Sequence, residues 1–438
     1  MASVPGSQFT ATAPSQPVNV VETSGGLLPP PVTGDFNLEI WTGPPGAAPS
    51  VPGPGYQGLA VLSDGGRQID LITGQFAVTD HGTGTDTLNA HGDDETISGG
   101  AANVTLILSG NNDIANGGGD DAITVLGILD VVNGGNGNDT INVLNDYDTV
   151  NGGHGNDTIT VAGKGDLVNA GGGADAVSVL GDYDTINGGP GNDTINVIGQ
   201  GDSILGGPGS DSISVLGNYD EITGGPGEDT INVIGQGDSV NGSGGGDLIN
   251  LAGNYDTVNG GSGSDTVNAS GQGDLIGGGS GGDLINLTGN YDTVDGGSGS
   301  DTINVFGRGD SVSGGPGGDA INVFGDYDTI NPGSGNDTVN VSGTGNTVVV
   351  GTPGGGDAQI NLSGGFETLS SGAGVYNDSV VGFDQAAGDR IHLTTESVST
   401  ALAHSQQING GQDTLITLQD GSTILLKGVG SIDSSFFS

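Results

Sequence analysis

Aspartate recurs at every eighteenth position through the middle of the chain. Most of these aspartates end a glycine-rich segment such as residues 188–193, GGPGND. A period that strict indicates one structural unit stacked on itself, as in a solenoid. Twelve of them form what we call the first aspartate column: Asp139, Asp157, Asp175, Asp193, Asp211, Asp229, Asp247, Asp265, Asp283, Asp301, Asp319 and Asp337.

Stacking would place the carboxylates of this column side by side. If each unit is one turn of a solenoid, neighbours lie roughly 5 Å apart and repel by about 3 kcal/mol at an effective dielectric near 20. The glycine-rich loops can adopt positive φ and turn their carbonyl oxygens towards one point. Carboxylate and carbonyl oxygens are the ligands of a hard cation, and a site with many such oxygens favours calcium over magnesium or zinc.

The repeat resembles the nonapeptide Gly-Gly-x-Gly-x-Asp-x-U-x of the bacterial RTX (repeats-in-toxin) proteins, in which U is aliphatic. Residues 152–160 (GGHGNDTIT) and 296–304 (GGSGSDTIN) match it at every fixed position. The resemblance covers residues 112–346 strongly and the flanks more loosely. It implies a parallel β-roll in which calcium lies between consecutive turns, held by loop carbonyls and by aspartates of adjacent turns.

The resemblance therefore predicts a row of calcium sites along one edge of the roll, with about 10 to 13 ions on that edge. The predicted carboxylate ligands are the first aspartate column, extended N-terminally to Asp121. The predicted loop residues are the first glycines of the matching repeats: Gly134, Gly152, Gly188, Gly206, Gly224, Gly260, Gly278, Gly296 and Gly314.

The alternate nonapeptides depart from the family pattern. Residues 197–202 (VIGQGD) and 215–220 (VLGNYD) have lost the two leading glycines but keep the aspartate. Two interpretations stay open: calcium also binds on this second edge through a modified loop, or these carboxylates cap amides of their own turn. The second aspartate column comprises Asp130, Asp148, Asp166, Asp184, Asp202, Asp220, Asp238, Asp256, Asp274, Asp292, Asp310 and Asp328, followed by Asn346.

A second rhythm, with twice the period of the aspartates, places tyrosine beside the second column in alternate coils: Tyr147, Tyr183, Tyr219, Tyr255, Tyr291 and Tyr327. Glycine takes the same slot in the intervening coils, as at Gly165 and Gly201. This column is either a packed edge that shields the turn backbone or a strip that binds carbohydrate or a partner.

The predicted fold is all-β: a right-handed parallel β-roll (β-solenoid) in which each coil spans one aspartate period, with a β-rich C-terminal cap. In residues 193–197 (DTINV) the alternation turns Ile195 and Val197 inward, and Ile204 follows on the return strand. Three or four buried residues per coil contribute roughly 6 to 10 kcal/mol, whereas ordering the backbone costs about 18 kcal/mol or more. We therefore expect a chain that is disordered without calcium and folds with it.

Four segments are predicted. Residues 1–56 are a disordered arm rich in proline and glycine, 57–111 are degenerate coils that form an N-terminal cap, 112–346 are the roll, and 347–438 are a β-rich capping domain. The C-terminal tail resembles the secretion signal that RTX proteins present to a type I (ABC) exporter. No cysteine and no signal peptide or membrane-spanning run occurs in the sequence.

These features predict a secreted, extracellular calcium-binding protein with a structural, cell-surface or matrix role. Extracellular polysaccharide and the cell surface are the candidate partners, and the alternative is an adhesin or a module that binds glycans or ice. The chain has no His-Glu-x-x-His motif and its histidines are scattered, so we predict no enzymatic activity, with a polymer-modifying enzyme as the least favoured option. Five basic residues against 52 acidic ones exclude a nucleic-acid partner.

Overall fold

The computed structural model describes residues 87–99, 103–351, 356–372 and 374–438, and before residue 87 only the backbone of short strands. The chain divides into two compact units, Met1–Gly217 and Asn218–Ser438. Each unit is built from parallel strands that pair with the strands one coil before and one coil after. The prediction of an all-β parallel solenoid is confirmed, since pairs such as Thr140↔Thr158 join residues that lie one aspartate period apart.

Each coil contributes one strand to each of two sheets. The front strands follow the aspartates of the first column, and the back strands follow those of the second. In the first unit the front strands are Gln68–Leu71, Asp86–Ala90, Val104–Leu108, Ala122–Val125, Thr140–Leu144, Thr158–Ala162, Ala176–Leu180, Thr194–Ile198 and Ser212–Leu216. Its back strands are Ala77–Asp80, Thr96–Ser98, Ile114–Asn116, Val131–Asn136, Thr149–His154, Leu167–Gly172, Thr185–Asn187 and Ser203–Leu205.

The second unit repeats this arrangement. Its front strands are Thr230–Ile234, Leu248–Ala252, Thr266–Gln272, Leu284–Asn290, Thr302–Arg308, Ala320–Asp326, Thr338–Thr344, Gln359–Gly365 and Asn377–Val381. Its back strands are Glu221–Pro226, Ser239–Gly244, Thr257–Ser262, Leu275–Ser280, Thr293–Ser298, Ser311–Ser313, Thr329–Asn331, Thr347–Val350, Thr368–Ser371 and Arg390–His392. Coil pairing thus continues past residue 346.

The core lies between the two sheets and consists of aliphatic side chains from alternate strand positions. Ile195, Val197 and Ile204 are at most 2 % exposed, which confirms the predicted inward positions. Neighbouring outward positions such as Thr194 and Asn196 are exposed. The period of two along each strand therefore decides which side chains are buried.

The C-terminal segment changes the direction of pairing. Asn377–Val381 pairs in parallel with Thr423–Lys427, and antiparallel pairing then adds Asp413–Thr417 and Ser405–Ile408. The helix Val398–Ala403 and the 3-10 turns Gln385–Ala387, Asn409–Gly411 and Ser434–Phe436 complete this part. No helix among the described residues has the length and apolar character needed to span a membrane.

The predicted arm, residues 1–56, and the start of the predicted cap, 57–85, lie outside the fully described residues. Besides Gln68–Leu71 and Ala77–Asp80, the strands in that part are Ala2–Ser3, Phe9–Thr12, Val18–Thr23, Phe36–Trp41 and Gly58–Val61.

Candidate functional site: two columns of buried carboxylates

The aspartates of both columns are buried at the two edges where the chain passes between the sheets. Every predicted carboxylate from Asp121 to Asp337 is at most 3 % exposed, and so is every aspartate of the second column. A strand spacing of roughly 4.8 Å separates neighbouring coils, so each carboxylate lies beside its column neighbours within its unit. The sequence-predicted residues are therefore brought together as a file rather than as one compact cluster.

Each aspartate uses one oxygen to join two coils. On the first edge the backbone N–H of Asp139 donates to Asp157 Oδ1 at 2.8 Å, and that of Asp265 donates to Asp283 Oδ1 at 2.9 Å. On the second edge the N–H of Asp148 donates to Asp166 Oδ1 at 2.7 Å. The second-edge carboxylates therefore cap backbone amides, but the amide belongs to the preceding coil instead of to their own turn.

The other carboxylate oxygen is buried without a hydrogen-bond partner in most of these residues. In the first column this holds for Oδ2 of Asp139, Asp157, Asp175, Asp193, Asp247, Asp265, Asp283, Asp301 and Asp319. In the second column it holds for Oδ2 of Asp130, Asp148, Asp166, Asp184, Asp238, Asp256, Asp274, Asp292, Asp310 and Asp328. A buried carboxylate oxygen without a hydrogen-bond donor or counter-ion destabilises the folded state. A bound proton or a bound cation at each of these atoms would remove that destabilisation.

The predicted loop glycines surround these oxygens. A Cβ at Gly260 would lie 2.7 Å from Asp265 Oδ2 and 2.4 Å from the carbonyl oxygen of Gly278 in the next coil. The same two kinds of atom would meet a Cβ at Gly134, Gly152, Gly188, Gly224, Gly278, Gly296 and Gly314, at 2.2 to 2.9 Å. Gly206, the remaining predicted glycine, supplies the carbonyl oxygen that faces Gly188. Glycine is needed at these positions because a carboxylate oxygen and a carbonyl oxygen approach the same point.

Positive φ belongs to other glycines of the same loops. The second glycine of the repeat has φ of +108° at Gly135 and +110° at Gly279, and the third glycine has φ of +139° at Gly281. The glycines predicted from the sequence as site residues are the first of each repeat, and these two are not among them. The repeated Gly-Gly-x-Gly pattern could have indicated all three, but sequence alone does not tell which glycine is required for conformation and which for space.

The second edge offers the same pairing of atoms. A Cβ at Gly271 would lie 1.5 Å from the carbonyl oxygen of Gly253 in the preceding coil and 2.8 Å from Asp274 Oδ2. The loss of the leading glycines therefore leaves the carboxylate and carbonyl oxygens adjacent. The two edges differ in the source of the carbonyl oxygen, which comes from the next coil on the first edge and from the preceding coil on the second.

Burial raises the pKa of these carboxyl groups, and neighbouring carboxylates in the column raise it further. The pKa of Asp139, Asp148 and Asp184 reaches about 7. For Asp265 and Asp301 it reaches about 6. The amide donated to Oδ1 lowers the pKa in each case but does not cancel the effect of burial.

Basic side chains do not neutralise the columns. Within the part of the chain that the structure describes, the one ion pair joins Lys164 to the exposed Asp146 at 3.8 Å. In the same residues, no three or more His, Cys, Asp or Glu side chains converge on one point. A cation at either edge would therefore take most of its ligands from backbone carbonyls.

Fold and site together define a parallel β-solenoid with one aspartate period per coil and a column of buried carboxylates along each edge. No family model matches the chain, and no curated protein matches it.

Proposed function

We propose that the protein is a secreted, extracellular calcium-binding solenoid whose folding depends on the metal, with a structural role at the cell surface or in the surrounding matrix. The observation that carries this proposal is the pair of carboxylate columns with buried, unpartnered Oδ2 atoms. The chain has a formal charge of -47, and its carboxylates have almost no basic partners in the described residues. Protons neutralise only part of the columns at neutral pH, so cations are the source of the remaining positive charge.

The residues present fit calcium better than a transition metal. The donor set is carboxylate and carbonyl oxygen, without cysteine and without histidine in the columns. On the first edge, Asp139 to Asp193 in one unit and Asp247 to Asp319 in the other would hold the ion, together with carbonyl oxygens such as those of Gly152 and Gly278. Calcium would supply the positive charge that these buried oxygens lack.

Metal-dependent folding suits a chain that leaves the cell unfolded and meets abundant calcium outside. The likeness of the repeat to RTX proteins supports this proposal, as does the resemblance of the C-terminal tail to a type I export signal. We propose no catalytic role.

The test is circular dichroism at pH 7 with purified full-length protein. The β signal should rise sharply as calcium is added and disappear with chelator, while magnesium at the same concentration should have a much weaker effect. A spectrum unchanged by calcium and by chelator would refute the proposal.

A further inference from the structure

A groove crosses the front sheet of the second unit and encloses about 490 Å³. The groove lies where one outward position, at the end of each front strand, holds small residues in three successive coils. These residues are Ala252, Ser270 and Thr288. The coil before them has Ile234 at this position, and the coil after them has Phe306. The volume lies within the range of small-ligand sites, roughly 300 to 1,000 Å³. Comparing the same position in successive repeats of the sequence would have revealed this change of size.

Side-chain amides line the groove. Asn250 donates to Asn232, Asn268 to Asn250 and Asn286 to Asn268, at 2.8 to 2.9 Å. Each amide has two N–H groups and an oxygen with two lone pairs, so this ladder leaves further donors and acceptors for a ligand. The groove therefore combines a mainly apolar surface with uncharged hydrogen-bonding groups.

Tyrosines of the second edge follow two of the groove residues closely in sequence, although they do not line the groove itself. Tyr255 follows Ala252 by three residues and Tyr291 follows Thr288 by three, and the two tyrosines are 67 % and 65 % exposed. Each ring rests on the next coil, since a Cβ at Gly273 would lie 2.7 Å from Tyr255 Cδ1. The two rings are two coils apart, which is about 10 Å.

These tyrosines adopt a conformation that side chains avoid. Tyr255 and Tyr291 have φ of +61°, and the alternate coils use glycine with φ of +73° at the same slot. Left-handed backbone costs a non-glycine residue about 1 kcal/mol or more. The ring of each tyrosine is about two-thirds exposed, so its burial does not compensate for the backbone strain. A strained tyrosine that remains exposed indicates that the ring binds something at the surface.

The exposed surface around Tyr255 carries amides rather than charges, although the chain is strongly acidic. Tyr291 lies at the end of this stretch, and its N–H donates to the carbonyl oxygen of Arg308 at 3.0 Å. The exposed or half-buried position before the tyrosine or glycine slot holds Asn218, Gln236, Asn254, Gln272 and Asn290 in five successive coils. Beyond this stretch of the second unit, Arg308 lies over the Tyr327 ring at 4.8 Å, and Asp326 precedes that tyrosine. An amide-rich surface suits hydroxyl groups, whereas the net charge of -47 repels anions.

We infer that this surface binds an extended, neutral oligosaccharide, a ligand beyond the calcium-dependent folding proposed above. Flat rings at a regular spacing suit the apolar faces of sugar rings in a polymer, and the amides of Asn232 to Asn286 and of Gln272 suit the hydroxyl groups. A stable protein partner would bury roughly 800 Å² on this chain, which is far more than the groove itself offers.

The test uses the full-length protein with calcium, after circular dichroism has shown that it is folded. An array of neutral hexasaccharides of glucose, mannose, galactose and N-acetylglucosamine is screened alongside anionic oligogalacturonates, and hits are titrated by calorimetry. The variant Y255G/Y291G places glycine where the alternate coils already have it, so the fold should persist. Affinity should fall about tenfold for each ring removed.

Two further variants make the test specific. S270L fills the groove with a residue type that other coils carry at this position, and it should abolish binding while leaving the β signal unchanged. Y147G/Y183G removes two rings from the first unit, where Asp146, Lys164 and Asp182 occupy the preceding positions, and it should leave binding intact.

Three outcomes would overturn the inference: no neutral hexasaccharide bound by folded wild type, binding unchanged in both Y255G/Y291G and S270L, or binding confined to anionic oligomers. Concentration-dependent self-association that is lost in these two variants, without sugar binding, would assign the surface to a second copy and also overturn it. The calcium proposal is tested separately. It is refuted if the circular dichroism spectrum is unchanged by calcium and by chelator, whatever the result of the sugar-binding experiments.

Discussion

Asp265 allows the charge of a column carboxylate to be separated from its role as a cap. Its Oδ1 accepts the N–H of Asp247 at 2.8 Å, its own N–H donates to Asp283 Oδ1 at 2.9 Å, and its Oδ2 is buried without a partner. Asparagine keeps an oxygen in place for the cap and removes the charge. The chain already does this at Asn346, whose Oδ1 accepts the N–H of Asp328 at 2.8 Å.

The magnitudes follow from this geometry. Each column neighbour, roughly 4.8 Å away, repels an ionised Asp265 by about 3 kcal/mol at an effective dielectric near 20. Salt and water at the edge of the sheets screen part of this repulsion. In chelator, the free energy of unfolding of D265N should therefore exceed that of wild type by about 1 to 3 kcal/mol. D265A also loses the cap on the buried N–H of Asp247, which costs about 1 to 3 kcal/mol relative to D265N.

Urea unfolding at pH 7 in saturating calcium, and folding induced at pH 7 in chelator by the osmolyte trimethylamine N-oxide, measure these differences. In chelator D265N should be more stable than both wild type and D265A. In calcium the order of wild type and D265N should reverse, and the calcium stoichiometry of D265N should fall. E221Q removes an equal charge from an exposed position and should change neither stability nor stoichiometry. If D265N in chelator is no more stable than wild type, then carboxylate repulsion does not oppose folding and the argument for a cation is wrong.

Three further predictions concern protons, loop glycine and tyrosine. Burial raises the pKa of Asp139 and Asp148 to about 7 in the folded state, so the folded state holds more protons than the unfolded state at mildly acidic pH. Without calcium, the free energy of unfolding should be greatest below about pH 4 and should fall as the pH rises through 6 to 7. Urea midpoints measured at a series of pH values check this, and midpoints that rise over this range would contradict the prediction. G260A adds a Cβ 2.4 Å from the Gly278 carbonyl oxygen and should lower the free energy of unfolding in calcium, measured with urea, by about 1 to 3 kcal/mol. An unchanged urea midpoint would mean that the first edge can accommodate the added methyl group. Y255G relieves φ of +61° but loses ring packing, so its melting midpoint should move little, whereas a large loss of stability would mean that the ring is a structural cover.

The repeat could be predicted from the sequence because its signals are local and periodic. Alternation in segments such as residues 193–197 determines which residues are buried, and the constant period of the aspartates determines the register between coils. Ile195 and Val197 are buried as predicted. A shift of the strand register by one residue would turn both side chains to the solvent, so their burial disfavours any other register.

The cross-coil contacts could not be predicted in the same way. The cap on the N–H of Asp247 comes from Asp265, and the direction of that carboxylate depends on how neighbouring coils pack rather than on its own turn. For the same reason, the positive φ of Tyr255 was missed: glycine in the alternate coils indicates the conformation, but a tyrosine in that slot argues against it.

Protons and cations compete for the same buried oxygens, and pH decides between them. With folded-state pKa values of about 6 to 7, such as those of Asp265 and Asp139, the carboxyl groups are largely protonated at pH 4 and largely ionised above pH 7. An acid solution can therefore neutralise the columns without metal, whereas a neutral one needs a cation. Calcium binding between these limits must release protons, since the ion needs the ionised carboxylate. Calorimetry at pH 6 in two buffers of different ionisation enthalpy should detect this release, and it should vanish at pH 8. Calcium uptake without proton release at pH 6 would place the ion away from the buried carboxylates.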